Sequence, residues 1–129
     1  MESTLRNVLI DWLRSDGELA ASLNAVDEEA PSPAPAPTLA IAASAAADWS
    51  TKTARGREVR IALELTDRND DAARTATLAS RIENRIATLP PAQSGLRVVV
   101  TQFLRSRAER RPRNLRAVLL EYRFKLLET

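Results

Sequence analysis

The run Arg105-Ser106-Arg107-Ala108-Glu109-Arg110-Arg111-Pro112-Arg113 sets five guanidinium groups against one carboxylate. Such a run can neutralise phosphates without regard to base sequence, with strong dependence on salt. It can equally form bidentate pairs with the carboxylates of a partner protein, or simply keep a hairpin end in solvent. Other chemistry is thinly supplied. A serine or threonine nucleophile needs a base, and the chain has no histidine and no cysteine. A Ser–Lys pair is conceivable, but the only lysines, Lys52 and Lys125, lie in exposed-looking contexts. Asp70 and Asp71 are adjacent, and adjacent positions on a helix do not face each other. Gly17, Gly56 and Gly95 are too scattered to build a phosphate-cradling loop. No catalytic residue, cofactor site or metal site is expected, and no enzymatic activity.

The elements that position these groups follow from periodicity. Val59, Ile61, Leu63 and Leu65 alternate with Glu58, Arg60, Ala62 and Glu64, which predicts a strand with one dry and one wet face. Upstream, Thr38 to Ala47 reads as a strand in which Leu39, Ile41, Ala43, Ala45, Ala47 and Trp49 share one side, although alanine also favours helix. The polar stretch Ser50 to Gly56 between them predicts a hairpin loop. Leu96 to Arg105 and Asn114 to Leu127 predict a second, long antiparallel hairpin, with Val118, Leu120, Tyr122, Phe124 and Leu126 on one face and the arginine run at its tip.

Two helices complete the pattern. Leu5, Val8, Leu9, Trp12 and Leu13 form an apolar stripe after Ser3, a candidate cap, and Ser15 with Glu18 resembles a capping box for a short second turn. Thr75, Leu78, Ala79, Ile82, Ile86 and Leu89 form another stripe, with Arg74, Arg81, Glu83 and Arg85 outward, begun by the cap-rich Thr66 to Asp71 and ended by Pro90-Pro91. Between the first helix and the sheet lie Asp27-Glu28-Glu29 and four prolines within Pro31 to Pro37, which predict an extended strap. The expected fold is therefore α+β: a mostly antiparallel four-stranded sheet with two main helices on one face, in the order α-β-β-α-β-β. The 129 residues suit a single domain, divided into 1–26 (helical), 27–37 (acidic and proline strap) and 38–129 (sheet plus long helix).

Charge is split along the chain. Residues 1–36 carry seven acids against Arg6 and Arg14, a net of −5, so the remainder carries +7 for a total of +2. Opposite ends of this kind can steer copies together head to tail, or can be ordinary solvated surface. No apolar run approaches the roughly 20 residues of a membrane span, and no secretory signal is expected at the amino terminus.

The wording around the first hairpin carries more than its periodicity. Asp48-Trp49-Ser50-Thr51-Lys52-Thr53, followed by Arg55-Gly56-Arg57-Glu58, resembles a signature of the small tail-completion (tail-terminator) proteins of long-tailed phages, in the version found in phage-like gene transfer agents. Family members are about this size, so the resemblance covers nearly the whole chain, with the specific match concentrated in Asp48 to Glu58. It implies a structural particle protein, assembled in the bacterial cytoplasm, whose copies form a homo-oligomeric ring, usually a hexamer. That ring caps the finished tail tube near the head. Its implied partners are its own copies, the tail tube protein and the head-side connector or stopper protein, with DNA passing through without specific binding and no membrane. Candidate assembly-interface residues are Trp49, Thr51, Lys52, Arg55 and Arg57 in the loop, and Arg105, Arg107, Arg110, Arg111 and Arg113 at the tip. Because tight phosphate binding in a ring lumen would impede DNA transit, the tip is expected to dock protein. The alternative is a basic nucleic-acid-binding module acting through Arg105 to Arg116.

Overall fold

Two long hairpins make the body of a curled sheet in the computed structural model, which describes all of residues 1–129. The first joins β2 (Thr38–Asp48) to β3 (Gly56–Arg68), and the second joins β5 (Leu96–Arg111) to β6 (Leu115–Glu128). They meet through an antiparallel β3–β6 ladder running from Gly56 opposite Leu127 to Arg68 opposite Leu115. Two short strands flank them, β1 (Ala25–Asp27) and β4 (Ala92–Gln93), in the order β1-β2-β3-β6-β5-β4. The helices are α1 (Glu2–Arg14), α2 (Gly17–Ser22) and α3 (Ala72–Ala87).

The expected four-stranded, mostly antiparallel sheet with two helices is thus incorrect. The sheet has six strands, is mixed, and curls into a half-barrel, and there are three helices. The missed strands span three and two residues, too few for a period of two to register in sequence. β1 runs parallel to β2, with Ala25 opposite Thr38 and Asp27 opposite Ala40. Parallel neighbours require a crossover, and the proline strap is that crossover. It is tied down by Asn24, whose amide side chain donates to the carbonyls of Pro35 (2.8 Å) and Ala36 (3.2 Å) and whose backbone N–H donates to that of Pro37 (2.7 Å).

One sheet face is dry. Val59, Ile61, Leu63 and Leu65 of β3 and Val118, Leu120, Tyr122, Phe124 and Leu126 of β6 are buried in a single core with Leu5, Leu9 and Leu13 of α1 and Leu78, Ile82 and Ile86 of α3. Burying each such side chain contributes about 1.5–3 kcal/mol. The β2 pattern departs from its sequence parity. Leu39 and Ile41 face the core opposite Leu65 and Leu63, then the register shifts between Ile41 and Ala43. Beyond that bulge Ser44 and Ala46 lie opposite the inward Ile61 and Val59, so Ala43, Ala45 and Ala47 fall on the wet face. A single inserted residue reverses every following side chain.

Caps differ in detail from the sequence reading. Met1 precedes α1 without a side-chain cap, and Asp16 caps α2 by accepting from the Leu19 N–H. Asp71 caps α3 by accepting from the Ala73 N–H at 3.0 Å. Buried Asp67 accepts from the Thr75 hydroxyl at 3.0 Å and the Asn69 side chain at 2.6 Å. Arg85, read as outward, instead locks α3 to α1. Its guanidinium lies 3.4 Å over the Trp12 ring, its Nε donates to the Trp12 carbonyl, and the Trp12 indole donates back to the Arg85 carbonyl at 2.7 Å. No helix is long and apolar enough to cross a membrane.

Candidate assembly interface

The loop after β2 is held closed by its own polar groups. The Trp49 N–H donates to the Gly56 carbonyl (3.0 Å) and the Gly56 N–H donates to Ser50 Oγ (3.0 Å). Ser50 Oγ in turn donates to Asp48 (2.7 Å), which also accepts from Arg57 at 3.4 Å. Thr51 Oγ1 accepts from the Ala54 N–H at 3.0 Å, and the Thr51 N–H donates to the Ala54 carbonyl at 2.8 Å. Gly56 is squeezed between strands. A Cβ there would fall well inside contact distance of the Trp49 carbonyl oxygen and 2.8 Å from that of Leu126. The glycine therefore allows β2 and β6 to approach the start of β3 from both sides.

Of the loop candidates, Trp49 is half-buried with the Lys125 ammonium 5.3 Å from its ring centroid, a cation–π contact. Arg57 pairs with Asp48, and the exposed Arg55 offers its carbonyl to the Glu128 N–H at 2.8 Å. Thr51, Lys52 and Arg55 are exposed among the five, and Thr51 is occupied in the turn. Sequence reading missed Asp48, Ser50 and Gly56 as the lock. Their signal was present in the motif, as a short acceptor and a hydroxyl flanking a glycine-arginine pair.

The second cluster is not a loop tip. β5 remains paired through Arg111 and β6 begins at Leu115, so Arg105, Arg107, Arg110 and Arg111 stand on a strand and only Pro112 to Asn114 turn. Arg113 (φ 64°) and Asn114 (φ 58°) are both left-handed, and the Leu115 N–H reaches the Pro112 carbonyl at 3.4 Å. The connection between the paired Arg111 and Leu115 is thus three residues long, with two successive left-handed residues. The arginines were expected to prefer a loop. Two of them, Arg105 and Arg111, are met on the wet face by carboxylates of other strands, Glu121 and Glu64.

Arg105 bonds Glu121, directly opposite in register. Arg111 reaches Glu109 at 2.7 Å and Glu64 at 3.4 Å, and Arg107 lies 3.7 Å from Glu109. Hydrogen bonding to Glu121, then its charge, raises the Arg105 pKa. Hydrogen bonds to Glu109 and Glu64 raise that of Arg111. Arg110 donates to the Asn114 side chain at 2.9 Å, and the Arg113 carbonyl accepts from Arg68. Arg110 and Arg113 are the two arginines of the cluster with no carboxylate partner. Each exposed pair contributes less than about 1 kcal/mol, and Glu121 and Glu64 together offset about half of the net positive charge that the run carries in the sequence.

The two candidate clusters do not come together. The loop sits where β3 starts and β6 ends, and the arginine turn sits where β3 ends and β6 starts. Thirteen residues of β3 lie between them, ~40 Å at the usual rise per strand residue. The wet face between the ends carries the ladder of Glu58, Arg60, Glu121 and Arg123, with Arg123 3.6 Å from Glu58 and bonded to Gln102 at 2.9 Å.

Comparison with known proteins agrees with the motif. A search of curated proteins finds no match. A chain in a solved structure titled "Virion of native gene transfer agent (GTA) particle" superposes with a TM-score of 0.77 at 25% identity, over 97% of this chain and 95% of that one. The family model described as Tail completion protein gp17 matches residues 7–126. That span takes in the first hairpin, nearly all of the second, all of α3 and most of α1, and the chain belongs to the family of tail completion protein gp17.

Proposed function

We propose that this protein is the ring-forming terminator of a phage-like particle, seated between the tail tube and the head. Copies close into a ring, a hexamer in this reading. One face of the ring stops further tube addition, and the other presents the docking surface for the head-side connector or stopper. DNA passes through without specific binding. The protein works by geometry and performs no bond-breaking chemistry, and it is assembled into particles in the bacterial cytoplasm. Family membership and the likeness to a chain from a gene transfer agent virion support the particle role.

The observation that carries the two-faced reading is the separation of the loop and the arginine turn at opposite ends of one rigid ladder. A terminator needs two distinct surfaces facing opposite ways, and a closed ring needs heterologous contacts between its subunits. The nucleic-acid reading through Arg105 to Arg116 is weaker for a specific reason. Arg105, Arg107 and Arg111 are matched by Glu121, Glu109 and Glu64, and Arg116 spends its guanidinium on the Asn69 and Asp70 carbonyls.

The test is to image particles from cells that lack the chain. Tubes of uncontrolled length and unattached heads are expected, with joined particles restored when the chain is supplied. Joined particles of normal tube length in its absence would end the proposal. Purified chain that remains monomeric and binds duplex DNA with a steep salt dependence would transfer the assignment to the nucleic-acid reading.

A further inference from the structure

The sheet has two edges, and neither is closed along its length. β1 covers β2 only at Thr38–Ala40, and the Ala30 N–H caps the Ile41 carbonyl. From Ala42 to Asp48 no strand lies outside β2. On the far side β4 covers β5 only at Leu96 and Arg97, and the Val98 N–H is taken by the Pro91 carbonyl. Beyond it β5 runs with one side unpaired to Arg111.

An uncovered strand offers a row of unpaired N–H and C=O groups, which proteins normally guard with charge, proline or short length. The β2 edge has no such guard over Ala42-Ala43-Ser44-Ala45-Ala46-Ala47. The β5 edge is uncharged from Val98 to Leu104, and there it carries the exposed large hydrophobics Val99, Phe103 and Leu104. Small side chains on one edge leave room for large ones on the other.

Charge points the same way. Of the acidic residues 1–36, Glu2 of α1, Asp27 of β1 and Glu28 of the strap lie at the β2 edge. There Ser44 is gripped by Glu2 at 2.6 Å and Arg6 at 3.2 Å, and Arg6 in turn meets Glu28. On β5, once Arg105 and Arg111 are matched by Glu121 and Glu64, Arg97, Arg107 and Arg110 remain against Glu109. Arg6 and Arg14 offset Glu28 and Asp27 there, which leaves Glu2, so a mildly acidic edge and a basic edge lie at opposite sides of one sheet, as a head-to-tail contact requires.

We infer that the free edge of β5 in one copy pairs with the free edge of β2 in the next, joining neighbouring sheets into one continuous sheet around the ring. This rests on the ring reading above. Strand direction is consistent with closure. β2, β3, β6 and β5 alternate in direction, so rotation about an axis along the strands brings β5 antiparallel to the next β2. The partner is a second copy of this chain, and Phe103 and Leu104 seat on its alanines.

Because the chain has no cysteine, cross-linking tests this directly. Cysteine at Ala43, Ala45 or Ala47 is combined with cysteine at Arg105 or Arg107, all on the wet face, in full-length protein assembled into particles. At least one pair should give a ladder of reducible multimers on oxidation, while each single variant gives none, since the contact joins unlike edges. Hydrogen exchange supplies a second readout that needs no substitution: amides of residues 43–47 should slow at least tenfold on assembly. Collars that form normally, with no cross-linked pair and no added protection, would overturn the edge pairing and leave the ring standing. Wild-type particles with no collar would overturn both.

Discussion

The two hairpins end in opposite ways. The β2–β3 loop is closed by particular atoms: Ser50 bridges Asp48 and the Gly56 N–H, and Gly56 fits only because it lacks a side chain. The β5–β6 hairpin ends in a bare three-residue turn, and its arm is stiffened instead by exposed arginine–glutamate pairs spread along the ladder. The first depends on a few irreplaceable contacts, whereas the second depends on many weak ones. Stability should therefore be sensitive to single changes at one end and tolerant at the other.

Gly56→Ala should break the comparison most severely. The new Cβ meets the backbone carbonyls of Trp49 and Leu126, neither of which can swing aside as a side chain would. A loss of about 3 kcal/mol is expected, as for overpacking at a rigid site, read as a lowered denaturation midpoint. A variant as stable as wild type would mean that β2 and β6 do not pinch this position. Ser50→Ala should cost about 1–2 kcal/mol, since it leaves the half-buried Gly56 N–H without its acceptor. It should also raise the mobility of residues 50–55 in hydrogen exchange.

Arg113→Asn sharpens the other side. Arginine sits at φ 64° in the tight turn, where asparagine is better accommodated. A gain of about 0.5 kcal/mol is expected, of the size seen when backbone preference is matched to conformation. A loss would show that the Arg113 side chain contributes more to the turn than its backbone strain costs.

Where sequence reading succeeded, the signal was local and repeated. β3 alternates over Val59 to Leu65 and α3 returns to its core face through Thr75, Leu78, Ala79, Ile82 and Ile86, and the buried residues are those. Where it failed, the cause was a single residue or a distant partner. The Ile41/Ala43 bulge reversed the alanine parity without any mark in composition. Arg105 and Arg111 read as loop residues because Glu121 and Glu64, which meet them on the wet face, lie on other strands. Trp12 and Arg85 are far apart in sequence, and nothing in either helix alone announces their contact.

The amino-acid order by itself determined which faces of β3, β6, α1 and α3 are dry, roughly where the long strands and helices run, and the resemblance of the Asp48 to Glu58 wording to a tail-completion motif, because each is written in neighbouring residues. Only the tertiary structure decided that the sheet has six strands, that the strap makes a parallel crossover, and which arginines are neutralised. Those outcomes depend on pairings between segments remote along the chain, whose free energy arises only when the core brings them together.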